Sequence, residues 1–319
     1  MTRNFTIVVI EPIHKSGIKI LQKHAEVIQL PIGSTEKDLL KVSEQADAFV
    51  TRGFVKIPKE VLETASRLKV VGVHGAGVDH IDTDFAQKRG VLIIRTPETL
   101  TDTVAEFTVG LMLSLLRKIP KADAAVRRGD WHKKYTDLVG VDLNGKTVGI
   151  VGLGRIGSAV AKRLKAFEVN LVYCKRVRAI EVEKQLGAEY VRLNQLLRKS
   201  DIISLHVPLT AETRHMISHE EFSLMKKGVY IVNTSRGWVI DEKALYAALV
   251  SGKVAGAALD VFESEPLRLD SQLKKLENVI LTPHLAATSE EALKRTATTV
   301  AEEVVRVLRR HTLLPCGNF

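Results

Sequence analysis

The segment from Thr147 to Gly157 places the tightest constraint on how this chain can fold. It reads TVGIVGLGRIG, an apolar strand pattern followed by three glycines and then by the helical pattern SAVAKRLKAF. Gly152 permits a tight turn, Gly154 lets the backbone approach a ligand, and Gly157 lets the helix pack closely on the strand. The segment therefore predicts a strand–turn–helix unit within a parallel sheet.

The same segment predicts a binding site. The first N–H groups of a helix lack intrahelical partners and lie at the positive end of its dipole, so they attract a phosphate. Glycines spaced as Gly152-x-Gly154-x-x-Gly157 between a strand and a helix are typical of a site for the pyrophosphate of a dinucleotide. The alternative is a glycine turn that only packs a helix on a sheet.

Short apolar runs alternate with amphipathic stretches along the whole chain. Most runs are rich in Val, Ile and Leu without strict alternation, as expected for parallel strands covered on both faces. Helical patterns such as Thr35–Ala46 and Glu242–Ser251 lie between them, which favours an α/β protein with parallel sheets. The predicted strands are Phe5–Glu11, Ala48–Arg52, Lys69–Val73, Val91–Arg95, Thr147–Gly152, Val169–Cys174, Asp201–His206, Val229–Thr234, Val254–Asp260 and Val279–Thr282.

Two longer helical patterns mark the predicted domain borders. Asp102–Arg117 is apolar on much of its circumference, which favours a place between domains or in a subunit interface, with a core helix of one domain as the alternative. Glu290–Arg310 is a long amphipathic pattern near the C-terminal end. We therefore predict a substrate domain of residues 1–101, a dinucleotide-binding domain of residues 102–285, and a C-terminal helix in residues 286–319 that returns to the first domain.

Composition and charge exclude several classes of protein. The 319 residues carry 47 Lys and Arg against 37 Asp and Glu, a formal net charge of +10, which suits an anionic partner. The only cysteines, Cys174 and Cys316, are too few for a disulfide framework and lack metal-ligand spacing. No apolar run approaches the ~20 residues that cross a bilayer, and no leader pattern is evident. We expect a cytoplasmic protein with no metal site.

The second strand of the nucleotide unit ends in a basic segment. Sites for NAD usually place an Asp or Glu about 20 residues beyond the glycines, where it accepts hydrogen bonds from the ribose. This chain has Cys174 there, followed by Lys175, Arg176 and Arg178. A carboxylate would repel an added 2′-phosphate, whereas Lys and Arg would bind it. We therefore predict a preference for NADP(H); the alternative is a solvated basic loop with NAD(H) bound through other contacts.

Three later strands end in unusual polar residues. VYIVNTSRG contains Arg236, and NVILTPH ends in His284. AALDVFESEP contains Asp260 and Glu265. Because the carboxyl ends of parallel strands line the ligand crevice of an open sheet, we expect these side chains to face one site. Arg can bind a carboxylate, His can exchange the proton that accompanies hydride transfer to a carbonyl, and a carboxylate can orient the imidazole.

These motifs, in this order, resemble the D-isomer-specific 2-hydroxyacid dehydrogenase family over nearly the whole chain. The resemblance implies two Rossmann- or flavodoxin-like α/β domains with the active site in the cleft between them. It also implies an NAD(P)-dependent oxidoreductase that acts on the CH–OH group of 2-hydroxy acids. The segments that carry it are GVDHID (77–82), TPETLTDTVAE (96–106), GLGRIG (152–157), HVPLTAETRHMI (206–217), NTSRGWVIDE (233–242), ALDVFESEP (258–266) and PHLAATSEE (283–291).

The resemblance implies a role for each candidate residue. Arg236 would bind the substrate carboxylate and polarise its carbonyl, and Glu265 would pair with His284, the general acid and base. Glu263 is an alternative to Glu265, but the residue directly before the proline matches the family. Trp238 departs from the small or aliphatic residue common after this Arg-Gly, and we expect ordinary packing for it. The resemblance places the substrate carboxylate at Gly75, Ala76 and Gly77, the pyrophosphate at Arg155 and Ile156, the nicotinamide end at Asp260, and the cofactor cleft at Val207, Pro208, Thr234 and Ser235.

The identity of the substrate depends on fewer residues. Arg52 lies in a region that faces substrate in this family, where it would reach a second anionic group; the alternative is a surface arginine. The basic segment after Cys174 is more similar to the NADPH-linked reductases of the family, so we predict reduction of glyoxylate or hydroxypyruvate. Since the chain ends soon after the long helix, we expect no regulatory domain, and a D-3-phosphoglycerate dehydrogenase without one is the alternative.

A corepressor-like interaction protein is the alternative from another class. The same family includes C-terminal-binding-protein corepressors, which use NAD(H) mainly to assemble and keep much of the same site. The short tails favour a metabolic enzyme. The resemblance also suggests a homodimer built partly on the helix after Asp102. We find no motif for nucleic-acid binding, and we expect neither a nucleic acid nor a membrane as partner.

Overall fold

The computed structural model describes residues 5–313, with side chains up to residue 309, so Cys316 lies outside the described residues. The described chain divides into two compact units. One contains the residues up to Leu100 together with those from Thr288 onward, and the other runs from Thr101 to Ala287. Each unit has its own parallel sheet, which confirms the predicted fold class.

The first unit has a flavodoxin-like sheet. Its strands are β1 (Phe5–Val9), β2 (Ala25–Gln29), β3 (Ala48–Thr51), β4 (Val70–Val73) and β5 (Leu92–Arg95). All neighbouring pairs are parallel, in the order β2-β1-β3-β4-β5. Helices alternate with the strands along the chain, as α1 (Lys15–Gln22), α2 (Glu36–Ser43), α3 (Lys59–Thr64) and α4 (Thr83–Lys88).

The apolar content of each strand explains which strands of this sheet the hydrophobic pattern predicts. Every residue of β3 and β4 is buried, in keeping with their unbroken apolar runs. The pattern does not predict β2, whose sequence AEVIQ contains no fully buried residue. The other edge strand, β5, is no better buried, but its sequence LIIR is apolar enough for the pattern to predict it.

The second unit has a Rossmann-like sheet. Its strands are β6 (Thr147–Val151), β7 (Asn170–Cys174), β8 (Glu189–Tyr190), β9 (Ile202–Leu205), β10 (Val229–Asn233), β11 (Val254–Leu259) and β12 (Val279–Leu281). All pairs are parallel, in the order β12-β11-β10-β9-β6-β7-β8. The order reverses between β6 and β9, and ligands of such sheets bind at this point. The two-residue edge strand β8 is too short for the sequence pattern to predict.

The apolar helix after residue 100 belongs to the core of the second unit. It is α5 (Thr101–Leu116), and it packs against the sheet and against α7, with Met112 and Leu116 almost completely buried. For the face of α5 that packs on the sheet, the structure agrees with the alternative prediction, a core helix of one domain. The other helices of this unit are α6 (Ile119–Arg127), α7 (Arg155–Leu164), α8 (Ile180–Leu186), α9 (Leu193–Lys199), α10 (His219–Leu224) and α11 (Glu242–Val250).

The long C-terminal helix, α12 (Glu290–Leu313), packs on the sheet of the first unit. Gly72 in β4 makes this approach possible, because a Cβ there would lie 2.6 Å from Val304 Cγ2 and 2.8 Å from Val300 Cγ2. The apolar face of the helix thus covers the middle of the sheet. Over residues 5–313, none of the helices combines the length and apolarity that spanning a membrane requires.

Candidate active site

Three glycines lie at the junction of β6 and α7, and the fold constrains them differently. Gly152 has φ of +96°, and a Cβ there would lie 2.6 Å from the carbonyl oxygen of His206. A Cβ on Gly157 would overlap the carbonyl oxygen of Gly152. Gly154 has φ of −89°, and a Cβ there would meet no described atom within 4 Å. The fold therefore requires the first and third glycines, whereas the second leaves open space at the start of α7.

This turn lies where the strand order reverses. The N–H of Gly152 donates to the carbonyl oxygen of Cys174 at the end of β7, over 3.0 Å. On the opposite side, the N–H of His206 after β9 donates to the carbonyl oxygen of Val151, over 2.8 Å. The helix α7 begins directly after the turn with Arg155 and Ile156. The residues predicted for the pyrophosphate thus lie at a helix start that attracts anions.

The basic segment after β7 contains cations in two different situations. Arg178 forms a two-bond ion pair with Glu183 of α8, at 2.8 and 2.6 Å. Lys175 and Arg176 are exposed, and with the carboxylates that the structure describes they form no ion pair. Burial raises the pKa of the Cys174 thiol to about 11, so this side chain is neutral near pH 7. Lys175 and Arg176 are therefore available to bind an anion beside the neutral side chain that ends β7.

The loop after β9 borders the glycine turn. Val207 packs so closely that its Cγ1 would lie 2.9 Å from a Cβ on Gly152, and Pro208 follows it on the surface. Further along this loop, a hydrogen bond from a neighbouring threonine lowers the pKa of Glu212, and the charge of Arg176 contributes in the same direction. Arg176 is therefore close enough to this loop to act on it electrostatically.

Asn233 organises the turn that follows β10. Its Oδ1 accepts hydrogen bonds from the N–H and the hydroxyl of Ser235, at 3.0 and 2.8 Å, and its Nδ2 donates to the carbonyl oxygen of Arg236 at 3.0 Å. The buried hydroxyls of Thr234 and Thr108 lie 2.8 Å apart. The turn is thus held from inside while the half-buried Arg236 follows it. Sequence reasoning missed Asn233, although an Asn at a strand end three residues before an Arg is a usable signal.

Glu265 and His284 meet beyond the carboxyl ends of β11 and β12. Nδ1 of His284 lies 2.7 Å from Oε2 of Glu265, whose other oxygen accepts the N–H of Phe262 at 3.0 Å. Burial alone would raise the pKa of Glu265. The hydrogen bond and charge of His284, the N–H of Phe262 and the charge of Arg236 together outweigh burial and hold that pKa below its usual value. The carboxylate is therefore ionised near neutral pH and fixes the orientation of the imidazole.

Asp260, directly after β11, is fully buried and holds the segment that carries His284. Its carboxylate accepts the hydroxyl of Thr282 at 2.6 Å and the N–H groups of Leu285 and Ala286 at 2.7 and 2.8 Å. His284 itself has φ of +55°, in the left-handed region that residues with side chains rarely adopt. Asp260 thus supports the histidine, and its place at the nicotinamide end stays a prediction.

Glu263 contacts a different histidine. Its Oε1 lies 2.9 Å from Nε2 of His215, and the ring of His215 stacks on Trp238, with centroids 5.4 Å apart and 25° between the planes. Trp238 is therefore packed against a neighbouring ring. Of the two glutamates in this segment, Glu265 is the one that pairs with His284.

In the first unit, Glu11 shapes the loop that carries Arg52. Its nearly buried carboxylate accepts the N–H groups of Arg52, Phe54 and Val55, at 2.7, 2.9 and 2.8 Å, and the hydroxyl of Thr51 at 3.1 Å. The half-buried Arg52 side chain donates to a backbone carbonyl at 3.3 Å. Sequence reasoning did not identify Glu11, whose strand-end position was the available signal.

Gly75, Ala76 and Gly77 follow β4 in the same unit and are half-buried. Thr96 holds Gly75 in place through two hydrogen bonds. The N–H of Gly75 donates to the Thr96 hydroxyl at 3.0 Å, and the backbone N–H of Thr96 donates to the carbonyl oxygen of Gly75 at 2.9 Å. This loop presents backbone near the carboxyl end of the sheet. Within the described range, no group of three or more His, Cys, Asp or Glu side chains is arranged to hold a metal ion.

Comparison with known sequences identifies the family. Residues 109–286 match the model described as the NAD-binding domain of D-isomer specific 2-hydroxyacid dehydrogenases. A D-3-phosphoglycerate dehydrogenase from Methanocaldococcus jannaschii is 46% identical over 304 residues, which cover 95% of this chain but only 57% of that relative. A glyoxylate reductase from Thermococcus litoralis is 44% identical over 301 residues, which cover 92% of this chain and 90% of that relative.

Solved structures agree with this assignment. A protein from Thermus thermophilus superimposes with a TM-score of 0.89 at 35% identity, covering 96% of this chain and 97% of its own. An NADPH-dependent glyoxylate/hydroxypyruvate reductase from Sinorhizobium meliloti, solved with NADP and malonate, gives a TM-score of 0.85 at 31% identity and covers 95% and 93%. The chain described here belongs to the D-isomer specific 2-hydroxyacid dehydrogenase family.

Proposed function

We propose that this protein reduces a small 2-oxo acid, such as glyoxylate or hydroxypyruvate, to the corresponding 2-hydroxy acid, with NADPH as preferred reductant. The observation that carries the proposal is the 2.7 Å contact between His284 Nδ1 and Glu265 Oε2, with the charge of Arg236 acting on the same carboxylate. An oriented imidazole and a guanidinium are the groups that reduction of a carboxylate-bearing carbonyl requires. The similarity to a glyoxylate reductase over most of both chains supports the choice of substrate.

The residues around the glycine turn fit a dinucleotide. No atom of the described fold requires Gly154 to lack a side chain, and the open space there suits the close approach of a pyrophosphate. The N–H groups at Arg155 and Ile156 would bind its oxygens, and the loop of Val207 and Pro208 and the turn of Thr234 and Ser235 would line the same cofactor. When bound, NADPH supplies the hydride that the carbonyl carbon of the substrate accepts.

Side chains of the protein carry out the other parts of the reaction. Arg236 holds the substrate carboxylate and stabilises the negative charge that develops on the carbonyl oxygen. His284 donates a proton to that oxygen, and the ionised Glu265 holds the imidazole in place through its contact with Nδ1. Asp260 keeps the backbone of His284 in place.

Lys175 and Arg176 provide the basis for the proposed NADPH preference. They are exposed directly after β7, whereas Arg178 is already paired with Glu183. A 2′-phosphate would find two cations here and no carboxylate at the strand end, where Cys174 is neutral. The Sinorhizobium relative, which was solved with NADP, supports this assignment by analogy. NAD(H) remains the alternative cofactor.

The first unit is proposed to bind the substrate. Backbone N–H groups at Gly75, Ala76 and Gly77 would bind its carboxylate, and Arg52 would reach a second anionic group when the substrate has one. The position of Arg52 and the 46% identity to a D-3-phosphoglycerate dehydrogenase favour 3-phosphohydroxypyruvate as the second candidate substrate.

One steady-state experiment tests these assignments together. We would measure kcat/KM for glyoxylate, hydroxypyruvate, pyruvate and 3-phosphohydroxypyruvate, each with NADH and with NADPH. The proposal expects glyoxylate or hydroxypyruvate with NADPH to give the highest value. The highest value with 3-phosphohydroxypyruvate would replace it with the second candidate. Tight cofactor binding without turnover of any 2-oxo acid would favour a corepressor-like binding protein.

A homodimer is also part of the proposal. Residues 119–139 expose large apolar side chains to more than half of their full extent, and these are Ile119, Val126, Trp131, Tyr135 and Val139. Several large apolar side chains exposed within one short stretch of chain favour an interaction surface there. Light scattering should give twice the chain mass, and Trp131→Glu with Tyr135→Glu should give a monomer.

A further inference from the structure

Residues 262–266, here called the Glu265 segment, contain two glutamates, Glu263 and Glu265. Each of them pairs with a histidine from another part of the chain. Glu265 pairs with His284 at 2.7 Å, and Glu263 pairs with His215 at 2.9 Å. Both histidines have positive φ angles, +55° for His284 and +49° for His215. The proposed chemistry uses only the first pair, so the second pair has no role in it so far.

Glu263 ties the Glu265 segment to the start of α11. The N–H of Glu242 donates to Oε1 of Glu263 over 3.2 Å, and the N–H of Glu263 donates to Oε1 of Glu242 over 2.7 Å. Burial raises the pKa of Glu242, and the charges of Glu263 and Glu265 raise it further. Three carboxylates therefore converge here, and the imidazole of His215 holds the middle one by a direct hydrogen bond.

His215 also contacts the turn that carries Arg236. The backbone N–H of His215 donates to the carbonyl oxygen of Trp238 over 2.7 Å. The imidazole ring of His215 stacks on the Trp238 ring. Between Arg236 and Trp238, Gly237 lies so close to the Glu265 segment that a Cβ would overlap the backbone of that segment. The two catalytic candidates thus come from chain segments in direct backbone contact, and His215 holds both segments.

We propose that His215 and Glu263 are positioning residues that set the spacing between Arg236 and the Glu265–His284 pair. They act through the backbone of the Glu265 segment and through Trp238. When the bond between them is lost, Glu263 faces Glu242 and Glu265 without its hydrogen-bonding imidazole. Where His215 is missing, like charges push the Glu265 segment away; where Glu263 is missing, the segment loses its hydrogen bond from the N–H of Glu242. In both cases the 2.7 Å contact with His284 lengthens. This inference rests on the proposed function, because it assigns a catalytic consequence to the displacement.

Four variants separate positioning from a general loss of stability. Glu263→Ala removes the bond, and His215→Phe removes it while keeping a ring against Trp238. Glu263→Gln retains an acceptor for His215 and for the N–H of Glu242, and should rescue activity. Glu189→Ala is the matched control, because it breaks an exposed ion pair with Lys199 in the same unit. Each variant would be compared with the wild type for kcat, KM, thermal unfolding and the proton NMR signal of the His284 Nδ1–H.

The first two variants should lower kcat by about 10- to 100-fold while KM for the 2-oxo acid changes by less than about threefold, as is typical when a supporting group is removed. The downfield Nδ1–H signal, assigned by its loss in His284→Ala, should shift or disappear in both. Glu263→Gln should keep the signal and retain kcat within about threefold. If Glu263→Ala proves unfolded, His215→Phe and Glu263→Gln still decide the question.

The inference would be overturned if His215→Phe matched Glu189→Ala in kcat and kept the Nδ1–H signal of the wild type. A failure of the proposed function has a different signature, since the wild type itself would then turn over no 2-oxo acid. The NMR measurement needs no substrate, so it tests the positioning role in that case as well.

Discussion

The backbone N–H of His284 donates to the carbonyl oxygen of Asp260 over 2.9 Å. The buried carboxylate of the same aspartate accepts the next two backbone N–H groups, those of Leu285 and Ala286. These bonds hold His284 at φ of +55°, a conformation that costs a residue with a side chain roughly 1–3 kcal/mol. The imidazole orientation therefore depends on a carboxylate that lies beneath the site.

Replacing Asp260 should affect stability and catalysis together. Asp260→Ala leaves three donors without their acceptor, each at a cost of about 1–3 kcal/mol, so we expect the free energy of unfolding to fall by roughly 3 kcal/mol or more. The kcat should fall as His284 loses its position, and urea denaturation and steady-state kinetics measure the two effects. Thr282→Val removes a single donor to the same carboxylate and should cost only about 1 kcal/mol. An Asp260→Ala variant as stable as the wild type would contradict the support role.

Replacing His284 should affect proton transfer and leave the nucleotide site intact. Because general acid catalysis typically contributes about 10²- to 10⁴-fold, His284→Ala should lose that factor in kcat. The dissociation constant of NADPH, measured by fluorescence titration, should change by less than about threefold. Turnover at the wild-type rate would refute the assignment of His284 as the acid.

The two exposed cations and the paired arginine after β7 should behave differently. Lys175→Ala together with Arg176→Ala should lower kcat/KM for NADPH about tenfold or more and leave the value for NADH nearly unchanged, since only NADPH carries the 2′-phosphate. Arg178→Ala should change the NADPH/NADH ratio much less, because its side chain is engaged with Glu183. Equal losses for both cofactors in the double variant would argue against a phosphate site.

Substitutions at two glycines of the nucleotide turn should separate effects on folding from effects on cofactor binding. Gly154→Ala has an ordinary φ and open space around its Cβ, so its midpoint of thermal unfolding should stay within about 2 °C of the wild type. Its dissociation constant for NADPH should rise about tenfold or more, since the added methyl occupies the place of the pyrophosphate. Gly157→Ala, whose Cβ overlaps the backbone, should instead lower the midpoint clearly. Unchanged cofactor affinity in Gly154→Ala would remove the main support for this binding site.

Stability should decline in mildly acidic solution because of His74. Burial, assisted by the charge of Arg52, lowers the pKa of His74 from 6.5 to about 4 in the folded protein. As the pH falls from 6.5 towards 4, the unfolded chain takes up a proton that the folded chain refuses, so stability decreases by up to roughly 3 kcal/mol. Above pH 6.5 this contribution is fully retained. Denaturation curves between pH 7 and 4 should show a shallower decline in His74→Gln, and identical slopes would exclude this origin.

Residues in the sheet interiors made the fold predictable. Strands such as β3, β4 and β9 are buried along their whole length, so their unbroken apolar runs identify them. The edge strands β2 and β8 escaped prediction because AEVIQ contains charged and polar residues and β8 has only two residues, whereas the edge strands LIIR and VIL were apolar enough to be found. The glycine turn was equally predictable, since positive φ at Gly152 and the close packing of Gly157 exclude side chains at both positions.

The residues that could carry the chemistry of the candidate site were predictable from the sequence. The residues that hold their loops in place were much less so. Arg236, Glu265 and His284 stand out as polar residues at the ends of apolar strands. Their roles stay predictions until the variants above are measured. Glu11 and Asn233 were not found, because each acts on backbone groups of a neighbouring loop that no spacing rule connects to it.

The sequence by itself determined the two parallel-sheet units, the family and the residue types available for chemistry, because these follow from local hydrophobic pattern and from motifs in continuous chain. Only the tertiary structure decided the pairs that no motif implies. It paired Glu263 with His215 and engaged Arg178 with Glu183, and it placed Glu265 against His284 as the family resemblance implies. The physical reason is that hydrogen bonds and ion pairs depend on distances of a few ångströms between segments far apart in the chain, and these distances are set by packing.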